Sequence, residues 1–238
     1  MSTSESRGPF SRRGFIAAAV VVGIIVLAAI VVIVTSIARG SSDRHSLATA
    51  TPTSSSPVTS AVDKSVCGLP GFETTGTLSS PPSAKWVLVG TIAAPTDASG
   101  AGPGTNDKGL RSCYAHTAKG ALFMAANFIA MGSDATLGPR LVGLVAPGPG
   151  RDALASKPSS SSSSAQAQVA GYKVGGYSAN QATVEIVMNY SDGSLVSIPL
   201  KLVWVQGDWK VVLTNSGDFP LAPAQIEDLG GYTPWSGA

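Results

Sequence analysis

Charge is scarce in this chain of 238 residues: 13% are Asp, Glu, Lys or Arg, aromatic residues make up 6%, and there are 2 cysteines and 2 histidines. A zinc site draws on His and Cys at short, regular spacings, and this chain does not show them. His45 stands alone in polar sequence, while His116 follows Cys113 at the spacing of half a metal site that has no second half. Gly-x-Ser-x-Gly, Ser-x-x-Lys and His-Glu-x-x-His are all missing. The Gly102-Pro103-Gly104 stretch lacks the Gly-Lys-Ser/Thr ending of a phosphate loop. No catalytic residue, metal or cofactor is therefore expected. His116, just before a helix, has the chemistry of a general base, but a lone histidine there reads more simply as a capping or packing residue.

A basic excess is also missing from most of the chain. Residues 1–62 hold five arginines against Glu5 and Asp43, a net of +3. Residues 63–238 hold eleven basic against twelve acidic residues, a net of −1. Direct nucleic-acid binding by the larger part is not expected, because counterion release needs clustered Lys and Arg.

What the chain does have is one long apolar run. Residues 15–38 carry no charge, and only Gly23, Thr35 and Ser36 interrupt the Val, Ile, Leu and Ala. As a helix the run would be about 36 Å long, enough to cross a hydrocarbon core of about 30 Å. Arg7, Arg12 and Arg13 precede it, and Asp43 dilutes Arg39 and Arg44 after it, so the N-terminus is expected in the cytoplasm. Ser11-Arg12-Arg13-Gly14-Phe15-Ile16 also reads as a twin-arginine export signal with Ser36-Ile37-Ala38 as its cleavage site. The apolar run is longer than an export signal needs, which favours an uncleaved anchor; cleavage would release a secreted protein.

The expected layout is a cytoplasmic basic tail (1–14), a transmembrane helix (15–38), a disordered Ser/Thr/Pro-rich stalk (39–64) and an extracellular domain (65–238). The stalk has no apolar period with which to offset chain entropy. Outside a reducing cytosol, Cys67 and Cys113 have only each other to pair with. Closing that loop would stabilise the fold by about 4 kcal/mol in the chain-entropy model. In a reducing compartment the same two would be buried free thiols.

Within the domain, residues 85–92 alternate as a strand, and residues 94–109 read as an exposed loop rich in Gly, Pro, Asp and Asn. The strongest helix spans 118–131, capped by Thr117 and stopped at Gly132-Ser133; it is apolar nearly all round, so it should be covered on more than one side. Asn127 is its polar exception. A second helix is expected over 134–145, weakened by Gly138-Pro139, a short third over 151–157, and a flexible serine loop at 159–164. From residue 168 the period becomes two, giving a meander of antiparallel strands over 169–175, 181–190, 196–204 and 209–213. Trp204 and Trp209 flank its last turn, where they should set the register. Ile226, Leu229, Tyr232 and Trp235 suit a tail lying back over the domain, or a strip that docks a partner.

Helices followed by a meander ending in Val203-Trp204-Val205-Gln206-Gly207-Asp208-Trp209-Lys210-Val211-Val212 resemble the cone-shaped α+β fold of the cystatin-like and nuclear-transport-factor-two-like superfamily. The layout of tail, membrane helix and outer domain resembles the bitopic scaffold subunits of conjugation and type IV secretion machines. In GLRSCYAHTAKGALFMAANFIA, APGPGRDAL and GYTPWSG the chain is similar to uncharacterised single-pass membrane proteins of actinobacteria. The resemblance implies fold and topology and brings no catalytic residue with it. The function expected is a membrane-anchored extracellular scaffold, its partners the lipid bilayer and envelope proteins, with an oligomer compatible with the layout. The rival readings are a small-ligand-binding cone, anchored or secreted, and an enzyme using its cavity.

Overall fold

A computed structural model describes residues 64–157 and 166–237, all within the compact unit Ser56–Ala238. The apolar run 15–38, residues 39–63 of the stalk and the serine tract lie outside the described residues. Among the described residues, no helix is long and apolar enough to cross a membrane.

Turn chemistry sets the first elements. Strands β1 (Lys85–Val89) and β2 (Ile92–Thr96) form a two-residue hairpin in which Val89 pairs with Ile92. Its first turn residue, Gly90, has φ +57°, as such a loop requires. A second hairpin, β3 (Thr105–Asp107) with β4 (Leu110–Ser112), turns through Lys108 and Gly109, both at positive φ. Helix α1 (Ala118–Gly132) then starts where the Thr117 hydroxyl accepts the Gly120 N–H at 3.0 Å. After it come a 3-10 helix, η1 (Gly138–Leu144), and a two-turn helix, α2 (Pro149–Ser156).

The remaining strands are β5 (Ala167–Tyr177), β6 (Gln181–Tyr190), β7 (Leu195–Val205), β8 (Asp208–Val211), β9 (Ala224–Ile226) and β10 (Thr233–Pro234). They make a six-stranded sheet in the order β10-β5-β6-β7-β8, with β9 also paired to β7. Every pairing is antiparallel, and β5 is irregular at Val169/Gly171 and Val174/Gly176. Val184, Ile186, Met188, Leu200, Leu202, Trp209 and Val211 are buried on the inner side. There α1 meets β5, β6 and β8, and it also touches β1, β2, β4 and η1. It is thus covered on more than one side, and Leu122, Phe123, Met124, Ala125 and Ala126 are all 0% exposed.

The C-terminal segment crosses the outer side of this sheet. It starts as β9 beside β7 and ends as β10 beside β5. On the way the Tyr232 hydroxyl donates to Glu185 Oε2 of β6 at 2.8 Å and lies 3.0 Å from Ser197 Oγ of β7. Trp235 closes the crossing, buried against Tyr172 and Trp86, and its Nε1 donates to the Pro82 carbonyl. The tail therefore lies back over the domain.

The α+β cone of the nuclear-transport-factor-two-like kind is corrected by this architecture. Strand and bridge positions take 37% of the described residues and helix 18%, so the domain is mainly β. Only one of the three expected helices is long. Gly138 and Pro139 reduce the second to seven residues of 3-10 helix, and the third holds eight residues. Residues 94–109, read as one exposed loop, instead complete β2 and supply β3, and they bury Ala94 and Ala101.

Candidate functional site

The described chain begins with a segment that the domain holds at successive points. Val66 N–H donates to the Gly207 carbonyl in the β7–β8 turn at 2.8 Å. One residue on, Cys67 is bonded to Cys113, with Cα atoms 6.1 Å apart. Glu73 N–H donates to the His116 carbonyl at 3.0 Å, and Glu73 Oε2 accepts the Ala118 N–H at 2.8 Å. That carboxylate sits at the N-terminus of α1, where the helix dipole favours negative charge. The Tyr177 hydroxyl adds a bond to the Glu73 carbonyl at 3.1 Å. Burial pushes that phenol well above the ordinary tyrosine range.

Beneath this segment lies Asp208, 2% exposed at the start of β8. Its Oδ2 accepts the Cys113 N–H at 3.0 Å, and its Oδ1 accepts the Tyr114 and Trp209 N–H groups at 2.9 Å each. Lys210 Nζ approaches to 3.4 Å. Burial raises the Asp208 pKa, against the pull of Lys210 and of these amides. The carboxylate holds Cys113 at φ +65°, a conformation rare for a residue with a side chain.

His116 is 1% exposed and stacked on Trp204, ring centroids 3.8 Å apart and planes 6° from parallel. Trp209 and Phe72 meet it edge-on at 5.7 and 5.0 Å. Its Nε2–H donates to the Ala179 carbonyl. The ring is a packing element, as the simpler reading expected. Trp204 and Trp209 are directly paired across the last turn, as expected, with centroids 5.4 Å apart. Asn127 also has its partners: its amide donates to the Pro95 and Phe123 carbonyls at 2.9 Å, and its Oδ1 accepts from Arg111 Nη1 at 3.2 Å.

The structure brings Cys67 and Cys113 together as a disulfide, so Cys113 and His116 do not form half of a metal site. Among the described residues, no group of three or more His, Cys, Asp or Glu is placed to hold a metal ion. Reading the sequence missed Asp208 and Arg111 as buried polar anchors, and Glu73 as an exposed one at the start of α1. For Asp208 the signal was an acidic residue between a tight turn and an apolar strand, where exposure should have been doubted.

Chemically, these groups fasten a chain. The surface that stands out lies elsewhere, on β1, where Val87 is 43% and Leu88 68% exposed side by side.

No curated protein and no solved structure matches the chain. The model of the family described as "Domain of unknown function (DUF8175)" matches residues 47–234, and the chain belongs to that family.

Proposed function

We propose that this chain is a membrane-anchored scaffold: residues 15–38 hold it in the bilayer, and residues 65–238 form an interaction domain outside the cytoplasm. The observation that carries this reading is the Cys67–Cys113 disulfide, placed where the spacer joins the folded domain. A disulfide suits an oxidising compartment. At this position it also closes the fold against pull transmitted along the spacer, which is what a tethered domain requires. A non-catalytic role fits the buried polar groups, since His116, Asp208 and Asn127 are engaged by stacking and hydrogen bonds. The partners proposed are proteins of the cell envelope. The resemblance in layout to bitopic scaffold subunits makes a conjugation or secretion assembly the first place to look.

Fractionation with alkaline carbonate, followed by protease added outside intact cells, tests this reading. The anchored protein stays in the membrane pellet and loses its domain to external protease. A soluble, protease-protected chain would refute it.

A further inference from the structure

The hairpin β1–β2 has one unpaired edge. In a two-residue hairpin the closing pair exchanges hydrogen bonds, and bonded and non-bonded pairs then alternate. Val89↔Ile92, Val87↔Ala94 and Lys85↔Thr96 are accordingly the bonded pairs, and Leu88↔Ala93 and Trp86↔Pro95 the non-bonded ones. Proline opposite Trp86 agrees, because a non-bonded position asks no N–H of it. The N–H and C=O groups of Trp86 and Leu88 thus point away from β2, and no described residue bonds them.

This edge is also apolar. Val87 and Leu88 are two of the five large hydrophobic residues exposed among the described residues. Native proteins normally blunt such an edge with charge, proline or a covering element. Here the one charge on β1 is Lys85, at its start.

We infer that the free edge of β1 docks a second copy of this chain, β1 pairing antiparallel with its counterpart about a twofold axis at Val87. In that register Trp86 and Leu88 lie opposite the second copy's Leu88 and Trp86. All four outward backbone groups of each strand are satisfied at once. Leu88 comes to rest over the half-buried Trp86 indole, which Trp235 holds from its own domain at 4.7 Å. Val87 faces Val87.

Charge fits the same register. Lys85 falls opposite Val89 of the second copy, next to the turn at Gly90. Gly90 abuts Ser133 and Asp134: a Cβ built on it would lie 3.0 Å from the Asp134 nitrogen. The twofold axis therefore sets each Lys85 beside the turn that the Asp134 backbone abuts, positive toward negative. A register shifted toward the strand start would bring the two lysines together instead. So short an interface is weak in dilute solution, and concentrating the chain supplies the proximity that pairing needs.

The test uses the full-length chain purified in detergent, so that its outcome is independent of where the protein resides in the cell. In the variant Val87→Cys the two introduced thiols lie about 4.5 Å apart by Cα, within disulfide range. In Leu88→Cys they lie about 8 Å apart, beyond it. Mild oxidation should convert Val87→Cys to a covalent dimer that reductant dissolves, and leave Leu88→Cys monomeric. Sedimentation should show a several-fold lower dimer fraction for Lys85→Glu than for the parent chain, and recovery for Lys85→Glu/Asp134→Lys. An intact Cys67–Cys113 bond and unchanged circular dichroism serve as the folding control. The proposal is overturned by a monomeric Val87→Cys chain, by its cross-linking to a different polypeptide, or by indifference to Lys85→Glu.

Discussion

The backbone N–H of Cys113 donates to the buried carboxylate of Asp208 at 3.0 Å, across 95 residues of sequence. That bond joins the disulfide to the start of β8, and with Tyr114 on the other oxygen it makes Asp208 the hinge pin of the fastening. Asp208→Ala would strand three buried amides, those of Cys113, Tyr114 and Trp209, and remove the partner of Lys210. A loss of about 3 kcal/mol is expected, in the range for breaking a buried charged pair. Urea unfolding of the variant against the parent measures it, and a loss below about 1 kcal/mol would show that the carboxylate is dispensable.

Reducing the Cys67–Cys113 bond should lower stability by up to about 4 kcal/mol, the chain-entropy value for a loop of this size. Denaturant titration with and without reductant gives the figure. Cys67→Ser/Cys113→Ser should match the reduced parent, so a large difference between the two would place the effect in side-chain packing.

Gly120 inverts the usual rule for helices. Replacing a helix-interior glycine by alanine normally adds about 1 kcal/mol. A Cβ at Gly120 would collide with the Ala115 carbonyl oxygen, which is backbone and cannot swing away. Gly120→Ala is therefore expected to lower the melting temperature, and a rise would contradict the close approach of residue 115 to α1.

Asp97 accepts a hydrogen bond from Lys119 at 2.9 Å and the Ala101 N–H at 3.2 Å, and the Lys119 bond in particular holds its pKa below the ordinary value. A depressed folded-state pKa means that the contribution is present above the unfolded value, near 3.8, and is lost as pH falls through the folded one. With both side chains about a third exposed, the pair is worth about 0.5 kcal/mol. Asp97→Asn should be less stable than the parent at pH 7, and the gap should close below pH 3. A gap constant with pH would assign the effect to shape rather than charge.

Much of the sheet was legible because its strands alternate openly: Val184, Ile186 and Met188, then Leu200, Leu202 and Trp204, all turn inward. The Trp204–Trp209 pairing followed from the tight turn between them, and the returning tail from its four large apolar residues. Helix α1 was legible in extent and in being covered on more than one side. The balance of the fold was not, because Ile92-Ala93-Ala94-Pro95-Thr96 has weak strand chemistry and borrows its conformation from β1. Helical propensity over residues 134–145 was likewise too weak to survive Gly138 and Pro139, whereas the short third helix formed, with Pro149 at its start. In the site, the cysteine pair was readable from scarcity alone. Asp208 and Glu73 were not, since each carboxylate finds its amides in distant parts of the chain.

The account depends most on which side of a membrane the fastened domain stands. The direct measurement is external protease digestion of intact cells producing the full-length protein, with the state of the two thiols read in the same sample. The prediction is a membrane-retained N-terminal fragment, a shed domain, and Cys67 and Cys113 both blocked by their bond. A full-length chain that survives digestion in the soluble fraction, with both thiols free to react, would contradict it.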